Sequence, residues 1–207
     1  MPADRGNFVK IFTMILPVIA YGNTILKQKC TAVDDQNPIL RELIGNMWET
    51  MHRANGCGLA APQIGQSLKL FIVDSTATYK LMDAEERETY FEAADEGITE
   101  TFINAEIIDY SDEEWEDYEG CLSIPGLSQK VKRAWTITIQ YLDKDLKPQT
   151  RTFSGTTARI IQHEYDHTKG ILFLDYLKPL TKKLMASKLK RTQNGQTETF
   201  YPMKFLK

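Results

Sequence analysis

The amino-acid sequence predicts an α+β domain in which mostly antiparallel sheets surround a central helix. Strand-like segments are grouped between two helical segments, without the regular alternation of strand and helix that a parallel sheet requires. The second helical segment carries two histidines four residues apart, so a functional site is expected there. A chain of 207 residues is long enough for one well-buried core and short for two full domains.

The first half of the chain is predicted to hold one amphipathic helix and a buried strand. After Asn37-Pro38, apolar residues recur at helical spacing, namely Leu40, Leu43, Ile44, Met47 and Met51. The helix is expected to end near Asn55-Gly56, because both residues tolerate a left-handed cap. A short apolar run then predicts a strand over residues 68–73.

An excursion around residues 76–100 follows, and its Glu- and Ala-rich stretch 83–94 predicts a surface helix. The later elements are, in order, a strand over 101–108, a half-buried alternating strand over 135–142, its hairpin return over 149–153, and a helix from just after Gly155 to about Lys169. Gly170 is expected to stop that helix.

Composition and charge indicate an ordinary globular protein. Apolar residues make up 42% and charged residues 26% of the chain, and the net charge of −3 gives no reason to expect nucleic acid as the main partner. Specific DNA is therefore not expected as a partner, and no membrane is expected either, because no apolar run approaches the length of a transmembrane helix. Three widely spaced cysteines favour a reducing compartment, and hence the cytoplasm.

The N-terminal stretch permits a second interpretation. Residues 10–20 resemble a weak signal peptide that ends in a Val-x-Ala cleavage pattern. Asp4 weakens the required positive charge, however, and Pro17 interrupts a short apolar core. We therefore favour an extended segment that packs against the domain.

The strongest local signal is the stretch that contains His163, Glu164 and His167. On a helix, residues four apart lie on one face, so both imidazoles can reach one metal ion while the glutamate handles protons. The alternative is a surface helix with two solvated histidines, but the apolar Ile160 and Ile161 indicate burial. The pattern therefore predicts a metal site.

A catalytic site of this kind needs a third protein ligand. The histidine that one zinc-protease pattern requires is replaced by Phe173, and His52 is far away in sequence, so the ligand must be a carboxylate or a thiolate. Cys121 is the best candidate because it lies beside a glycine in a tight segment, although Cys30 and Cys57 compete for the role. A thiolate with two imidazoles suits zinc or ferrous iron.

A third segment, residues 56–63, could also contribute to the site. Its two glycines let backbone approach a ligand closely, and Gln63 offers an amide donor. Taken alone, the segment is more typical of an ordinary loop between a helix and a strand, because loop glycines are common.

Together the three segments resemble the peptide deformylase family, whose members remove the formyl group from the N-terminal methionine of newly made chains. The shared motifs are a Gly-x-Gly-Leu-Ala-Ala-Pro-Gln loop, a Glu-Gly-Cys-Leu-Ser turn and a Gln-His-Glu-x-Asp-His helix, here residues 56–63, 119–123 and 162–167. The similarity runs from about Ile15 to Leu177, interrupted by the excursion.

The resemblance implies a role for each matching residue. Cys121, His163 and His167 would hold ferrous iron, for which zinc, nickel or cobalt can substitute, and Glu164 would transfer the proton. Two groups would stabilise the oxyanion, and five more would contact the substrate. These are the Gln63 amide and the Leu122 backbone N–H for the oxyanion, and Gly58, Cys57, Glu119, Ile160 and Arg133 for the formyl-methionyl peptide.

The sequence departs from the family pattern at a few positions. Thr168 follows the second histidine where leucine is common, Thr156 and Thr157 stand where apolar residues are usual, and Ser128 replaces a frequent basic residue. The organisation implied is a catalytic domain over residues 14–180, preceded by an extension, disordered or arising from a misassigned start, over residues 1–13. A basic segment follows over residues 181–207.

Two alternatives stay open from the sequence. An unrelated metallopeptidase shares the His-Glu helix, and a non-catalytic metal-binding or ribosome-docking module could use the same ligands. We also hypothesise that the basic C-terminal segment brings the protein to ribosomal RNA. Its basic residues are Lys182, Lys183, Lys188, Lys190 and Arg191.

Overall fold

A computed structural model of the chain describes residues 13–34 and 36–206. The strands are β1 (Val18–Ile19), β2 (Gly58–Ala60), β3 (Leu70–Asp74), β4 (Thr99–Tyr110), β5 (Glu114–Cys121), β6 (Ile124–Ala134), β7 (Thr136–Leu142), β8 (Pro148–Ser154) and β9 (Met203–Lys204). The helices are α1 (Leu40–Arg53), α2 (Ser75–Leu81), α3 (Ala84–Tyr90), α4 (Gly155–Thr168) and α5 (Pro179–Gln193).

The main sheet has five antiparallel strands in the order β2-β3-β4-β7-β8, and it separates two helices. Side chains alternate across β3, so Leu70 and Ile72 pack in the cluster of α1 while Phe71 and Val73 pack in the cluster of α4. The predicted α+β class with mostly antiparallel sheets is confirmed.

Helix α4 is the central helix of the domain, and every one of its residues is buried. It begins at Gly155, whose φ of +55° suits glycine, and a Cβ there would lie 2.3 Å from the carbonyl oxygen of Tyr90. It ends where Gly170 adopts φ +74° and donates its N–H to the carbonyl of His167. The predicted bounds are confirmed to within a residue.

The sequence did not predict the antiparallel hairpin formed by β5 and β6. Acidic residues occur along β5, and only one residue of that strand is buried, so its apolar pattern is weak. Strand β6 supplies Lys132, which lies opposite Glu116 and makes an ion pair with Glu114. The charge that concealed the strand thus contributes a cross-strand ion pair.

The excursion also differs from its prediction, because it contains two short helices instead of one. Asp74 caps the first helix, α2, by accepting a hydrogen bond from the Ala77 N–H. Asp83 and Glu86 form a capping box at the start of α3, which ends at Tyr90, before the predicted limit of residue 94.

Both ends of the described chain pack on the domain. Strands β1 and β9 form a parallel pair, and Val18, Ile19 and Ala20 are buried, as an extended packing segment requires. Residues 1–12 lie outside the described residues. Most of the predicted extension and the start of the signal-like pattern fall on them. Across residues 13–34 and 36–206, no helix has the length and apolar character needed to traverse a lipid bilayer.

Candidate active site

Cys121, His163 and His167 converge at one point, with one potential ligand atom from each lying within 4.8 Å of the others. The histidines occupy one face of α4, and the cysteine ends β5, where its Sγ lies 3.3 Å from Nε2 of His167. Cys121 is therefore the cysteine that joins the two histidines. Cys57 lines the cavity described below, and Cys30 lies near the end of α4.

The donor set fits a metal ion. Burial and the neighbouring His163 hold the pKa of His167 well below its usual value, which favours the neutral imidazole that a metal binds. Nδ1 of His163 lies 3.0 Å from a carboxylate oxygen of Glu119, the outer contact that commonly orients a metal-binding imidazole. One sulfur and two nitrogens suit zinc or ferrous iron better than magnesium or calcium.

Glu119 lies at the centre of a buried ion-pair network behind His163. Its carboxylate accepts hydrogen bonds from Arg133 at 2.9 Å and from Arg159 at 2.8 Å. Burial opposes the charged carboxylate, but His163 and Arg133 outweigh it and hold the pKa of Glu119 well below its usual range. Arg133 also donates to Asp166, so the network ties the hairpin to α4 at a second point.

Glu164 is buried against the backbone of Gly58. A Cβ at Gly58 would lie 2.5 Å from a carboxylate oxygen of Glu164, so only glycine fits there without displacing the carboxylate. The other oxygen, Oε2, has no hydrogen-bond partner within the part of the chain that the structure describes. Burial raises the pKa of Glu164 to about 7, with His163 opposing and Glu119 adding to the rise. A carboxyl with this pKa can both accept and donate a proton near neutrality.

The side-chain amide of Gln63 is fixed beside the metal ligands. Its oxygen accepts a hydrogen bond from the Ala60 N–H at 2.7 Å, which directs the amide nitrogen toward Sγ of Cys121 at 3.4 Å and Oγ of Ser123 at 3.3 Å. Leu122 lies between these two residues in the turn that joins β5 and β6. An amide donor and a backbone N–H are thus held next to the candidate metal centre.

These groups open onto a cavity of about 410 Å³. Its lining includes the predicted site residues Cys57, Gly58, Gln63, Glu119, Cys121, Leu122, Ile160, His163 and Glu164. His167 completes the ligand set from beside the cavity. Arg133 is not among the lining residues, since its guanidinium is held by Glu119 and Asp166, and this placement differs from the predicted contact with substrate.

Sequence reasoning missed the residues that the excursion and the hairpin contribute to the cavity. Thr78 and Met82 from the excursion and Tyr118 from β5 line one part of it. No local motif marks these positions, because Thr78 and Met82 reach the cavity through the packing of α2 beside α4, and Tyr118 reaches it through the β5–β6 hairpin. The acidic excursion therefore supplies part of the cavity wall.

The departures from the family pattern have local partners. The hydroxyl of Thr157 lies 2.9 Å from that of Ser75, which also accepts the Ile98 N–H, so this polar residue is satisfied in a fully buried position. Thr168 donates to the carbonyl of Tyr165 within α4. Thr156 lines the cavity, where its hydroxyl adds polarity. Ser128 is exposed and pairs opposite Gly120 in the hairpin.

Comparison with known proteins gives the family. A family model described as polypeptide deformylase matches residues 15–183 of the chain. The chain belongs to the peptide deformylase family.

The peptide deformylase of Christiangramia forsetii is 45% identical over 194 residues, covering 93% of this chain and 96% of the relative. The crystal structure of the Ehrlichia chaffeensis peptide deformylase superposes with a TM-score of 0.76 at 29% identity, covering 88% of this chain and 99% of that one. A Met-Ala-Ser-bound peptide deformylase from Acinetobacter baumannii gives a TM-score of 0.70 at 33% identity, covering 80% and 100%.

Membership decides between the interpretations that the motifs left open. The chain is a deformylase, not an unrelated metallopeptidase or a non-catalytic module. Peptide deformylases are metalloenzymes, and the Cys-His-His group is a possible metal site. The alignment with the C. forsetii deformylase covers 93% of this chain, so fewer residues lie outside it than the basic segment 181–207 contains. Part of that segment therefore aligns with the relative.

Proposed function

We propose that the cavity hydrolyses the formyl group from the N-terminal formyl-methionine of newly made polypeptides, releasing formate and a free amine. The observation that carries the proposal is the position of Glu164, which lies buried beside the three candidate ligands with one oxygen directed at no protein partner among the described residues. The rest of the cavity surrounds this carboxylate with donors and with an open strand edge.

Cys121, His163 and His167 would hold the metal ion, with ferrous iron as the native ion and zinc, nickel or cobalt as substitutes. Thiolate and imidazole donors suit all four metals, and availability then decides between them. When bound, the ion supplies Lewis acidity, which makes water more acidic and polarises the formyl carbonyl. Glu119 orients the imidazole of His163 for this task through the contact at Nδ1.

Glu164 moves the proton in our proposal. Its pKa of about 7 lets it take a proton from the attacking water and then deliver that proton to the nitrogen of the leaving amine. Gly58 leaves room for the carboxylate in this position, because it carries no Cβ. The same residue therefore serves Glu164 as well as the substrate.

The developing oxyanion would be stabilised by two donors, the side-chain amide of Gln63 and the backbone N–H of Leu122. Both donors are fixed before substrate binds, because Ala60 orients the amide and the hairpin turn orients the N–H. Donors that need no rearrangement during the reaction lower the barrier most effectively.

The peptide would add as a strand along β2, which is an edge strand of the main sheet. Gly58 on β2 then pairs with the substrate backbone, while Cys57, Glu119 and Ile160 surround the methionine side chain. A peptide occupant agrees with the Met-Ala-Ser-bound relative from A. baumannii. Arg133 acts on the substrate indirectly, by fixing Glu119.

Formate release from formyl-Met-Ala-Ser tests the proposal, with protein loaded with ferrous iron under exclusion of oxygen. We expect rapid formate release from this peptide and no acetate release from acetyl-Met-Ala-Ser, which carries an extra methyl group at the reacting carbon. Protein reloaded with zinc, nickel or cobalt should regain activity to different degrees. Absence of formate release from protein with one bound ion per chain would contradict the proposed function.

The basic C-terminal segment would bring the enzyme to ribosomal RNA. Lys183, Lys188 and Lys190 lie exposed on α5, where a nucleic-acid backbone can contact them. Truncation is a poor test because it also removes β9, so we would reverse these three charges to glutamate. Salt-dependent co-sedimentation with ribosomes should weaken in that variant and not in a control with exposed Lys144 and Lys147 reversed. Equal sedimentation of the two variants would contradict this role.

We also propose a cytoplasmic location. Cys30, Cys57 and Cys121 are all free, which suits a reducing compartment, and newly made formylated chains are present there. Cell fractionation with an antibody against the protein would test this, and recovery in a periplasmic or secreted fraction would contradict it.

A further inference from the structure

The C-terminal strand lies against the segment that carries Cys121 and Leu122. Strand β9 pairs in parallel with β1, and the Val18 N–H donates to the carbonyl of Pro202 while the Ala20 N–H donates to that of Lys204, each at 2.9 Å. This pairing fixes the residues that immediately precede β9. Tyr201 is therefore held at a defined place more than seventy residues away in sequence from the hairpin turn.

Tyr201 reaches the hairpin turn directly. Its side chain is buried in a small cluster with Val18 and Ala54, against which Leu122 packs, and its hydroxyl donates a hydrogen bond of 2.8 Å to the carbonyl oxygen of Leu122. The tyrosine thus contacts both the side chain and the backbone of this residue. Loss of this donor would leave the partly buried Leu122 carbonyl without its protein partner.

The turn has only two residues, Leu122 and Ser123, between the paired positions Cys121 and Ile124. Ser123 is fixed by two other hydrogen bonds, since its carbonyl accepts the Tyr21 N–H and its hydroxyl accepts from the Gln63 amide. The peptide between Leu122 and Ser123 can adopt alternative orientations in two-residue turns. The hydroxyl of Tyr201 holds the carbonyl of this peptide, which shares the Leu122 Cα with the peptide that carries the Leu122 N–H.

We propose that Tyr201 is a positioning residue for deformylation, which fixes the turn so that the Leu122 N–H and the Cys121 thiolate face the formyl group. The inference rests on the proposed function of these two groups. It assigns the C-terminal strand a part in the active site, in addition to any contact that the basic helix α5 makes elsewhere.

Tyr201→Phe tests this role because it removes the hydroxyl and keeps the ring in its cluster. We expect kcat for formyl-Met-Ala-Ser to fall about tenfold, with a change in KM of less than about twofold, since a small misplacement of a transition-state donor acts mainly on kcat. Hydrogen exchange of the backbone amides in residues 118–126, followed by mass spectrometry, should become faster. Thr199→Val is the matched control, because its hydroxyl bonds to the Tyr201 carbonyl and does not reach the turn.

The outcomes separate the two proposals. A lower kcat with faster exchange in Tyr201→Phe, and neither change in Thr199→Val, supports the positioning role. An unchanged kcat overturns it, whether or not the thermal midpoint falls, because the tyrosine would then be an anchor of the fold only. An equal fall of kcat in both variants also overturns it. If the parent enzyme released no formate, the proposed function would fail, and unchanged exchange in Tyr201→Phe would separately overturn the positioning role.

Discussion

Helix α4 and the β5–β6 turn both carry groups of the site, but they are held in different ways. Helix α4 presents His163, Glu164 and His167 from a segment that is buried along its whole length between the main sheet and the hairpin. The hairpin presents Cys121 at the end of β5, a strand with a single buried residue, and Leu122 in the adjoining turn. Its position depends on a few hydrogen bonds from distant parts of the chain.

The difference indicates where single substitutions should matter. Loss of one contact along α4 leaves many others in place, so the helix should keep its geometry and lose only some stability. Loss of one contact at the turn removes a large share of what fixes it, so catalysis should suffer before stability does. The predictions below test this contrast, from the largest expected effect to the smallest.

Short of replacing Glu164 itself, Gly58→Ala should have the largest effect, because it displaces the catalytic carboxylate. The added Cβ would lie 2.5 Å from Glu164, so the carboxylate must move by about an ångström, and such a shift costs about 100-fold in kcat. Gly45→Ala in α1 is the matched control, since its Cβ meets only a side-chain methyl of Thr13 at 3.2 Å. A kcat within about threefold of the parent in Gly58→Ala would show that Glu164 does not need this space.

Glu119→Gln should weaken the contact between strand β5, which carries Glu119, and His163 on helix α4. The amide keeps the shape of the carboxylate but loses the charge that orients His163, so we expect metal to dissociate about 10–100-fold more readily. Competition with a chelator measures this change. Glu116→Gln, at an exposed position on the same strand, is the control and should keep the parent affinity.

The same substitution has a defined pH dependence. The pKa of Glu119 in the folded protein is depressed, so the stability that its carboxylate contributes is present above the unfolded-state value of about 4.3 and is lost as the pH falls below it. Urea unfolding of metal-free protein should therefore show an advantage of the parent over Glu119→Gln at pH 7 that shrinks in acid. An advantage that stays constant down to pH 3 would contradict the assigned charge state.

Thr157→Val should have the smallest effect, since α4 retains the rest of its packing. Losing the contact with Ser75 inside the protein costs about 1 kcal/mol of unfolding free energy, while kcat should stay within about twofold of the parent. Thr138→Val, which breaks a similar pair with Thr152 on the surface, should cost less. A tenfold loss of kcat in Thr157→Val would remove the contrast between helix and turn.

The sequence predicted the helix half of the site well and the hairpin half poorly. His163 and His167 lie four residues apart, so a local period suffices to predict that they share a helix face, with Glu164 beside them. Cys121 was found by elimination and by its motif, but the strands on either side of its turn were not, because their charges conceal the apolar pattern.

Long-range contacts were beyond reach of the sequence for a physical reason. The bond from Tyr201 to Leu122 and the pair of Ser75 with Thr157 join residues about eighty positions apart, and no local period encodes such pairs. Arg133 was predicted as a substrate contact because it matches an arginine of the family. Its guanidinium is instead held by two buried carboxylates, which only the folded chain brings together.

The central claim is that Glu164 moves the proton while the ligands hold the metal, and Glu164→Gln tests it most directly. Metal content and formate release from formyl-Met-Ala-Ser are measured on the same iron-loaded sample, kept free of oxygen. We predict about one ion per chain, as in the parent, with kcat lower by about 100- to 10,000-fold. Formate release close to that of the parent, with the metal bound, would contradict the account.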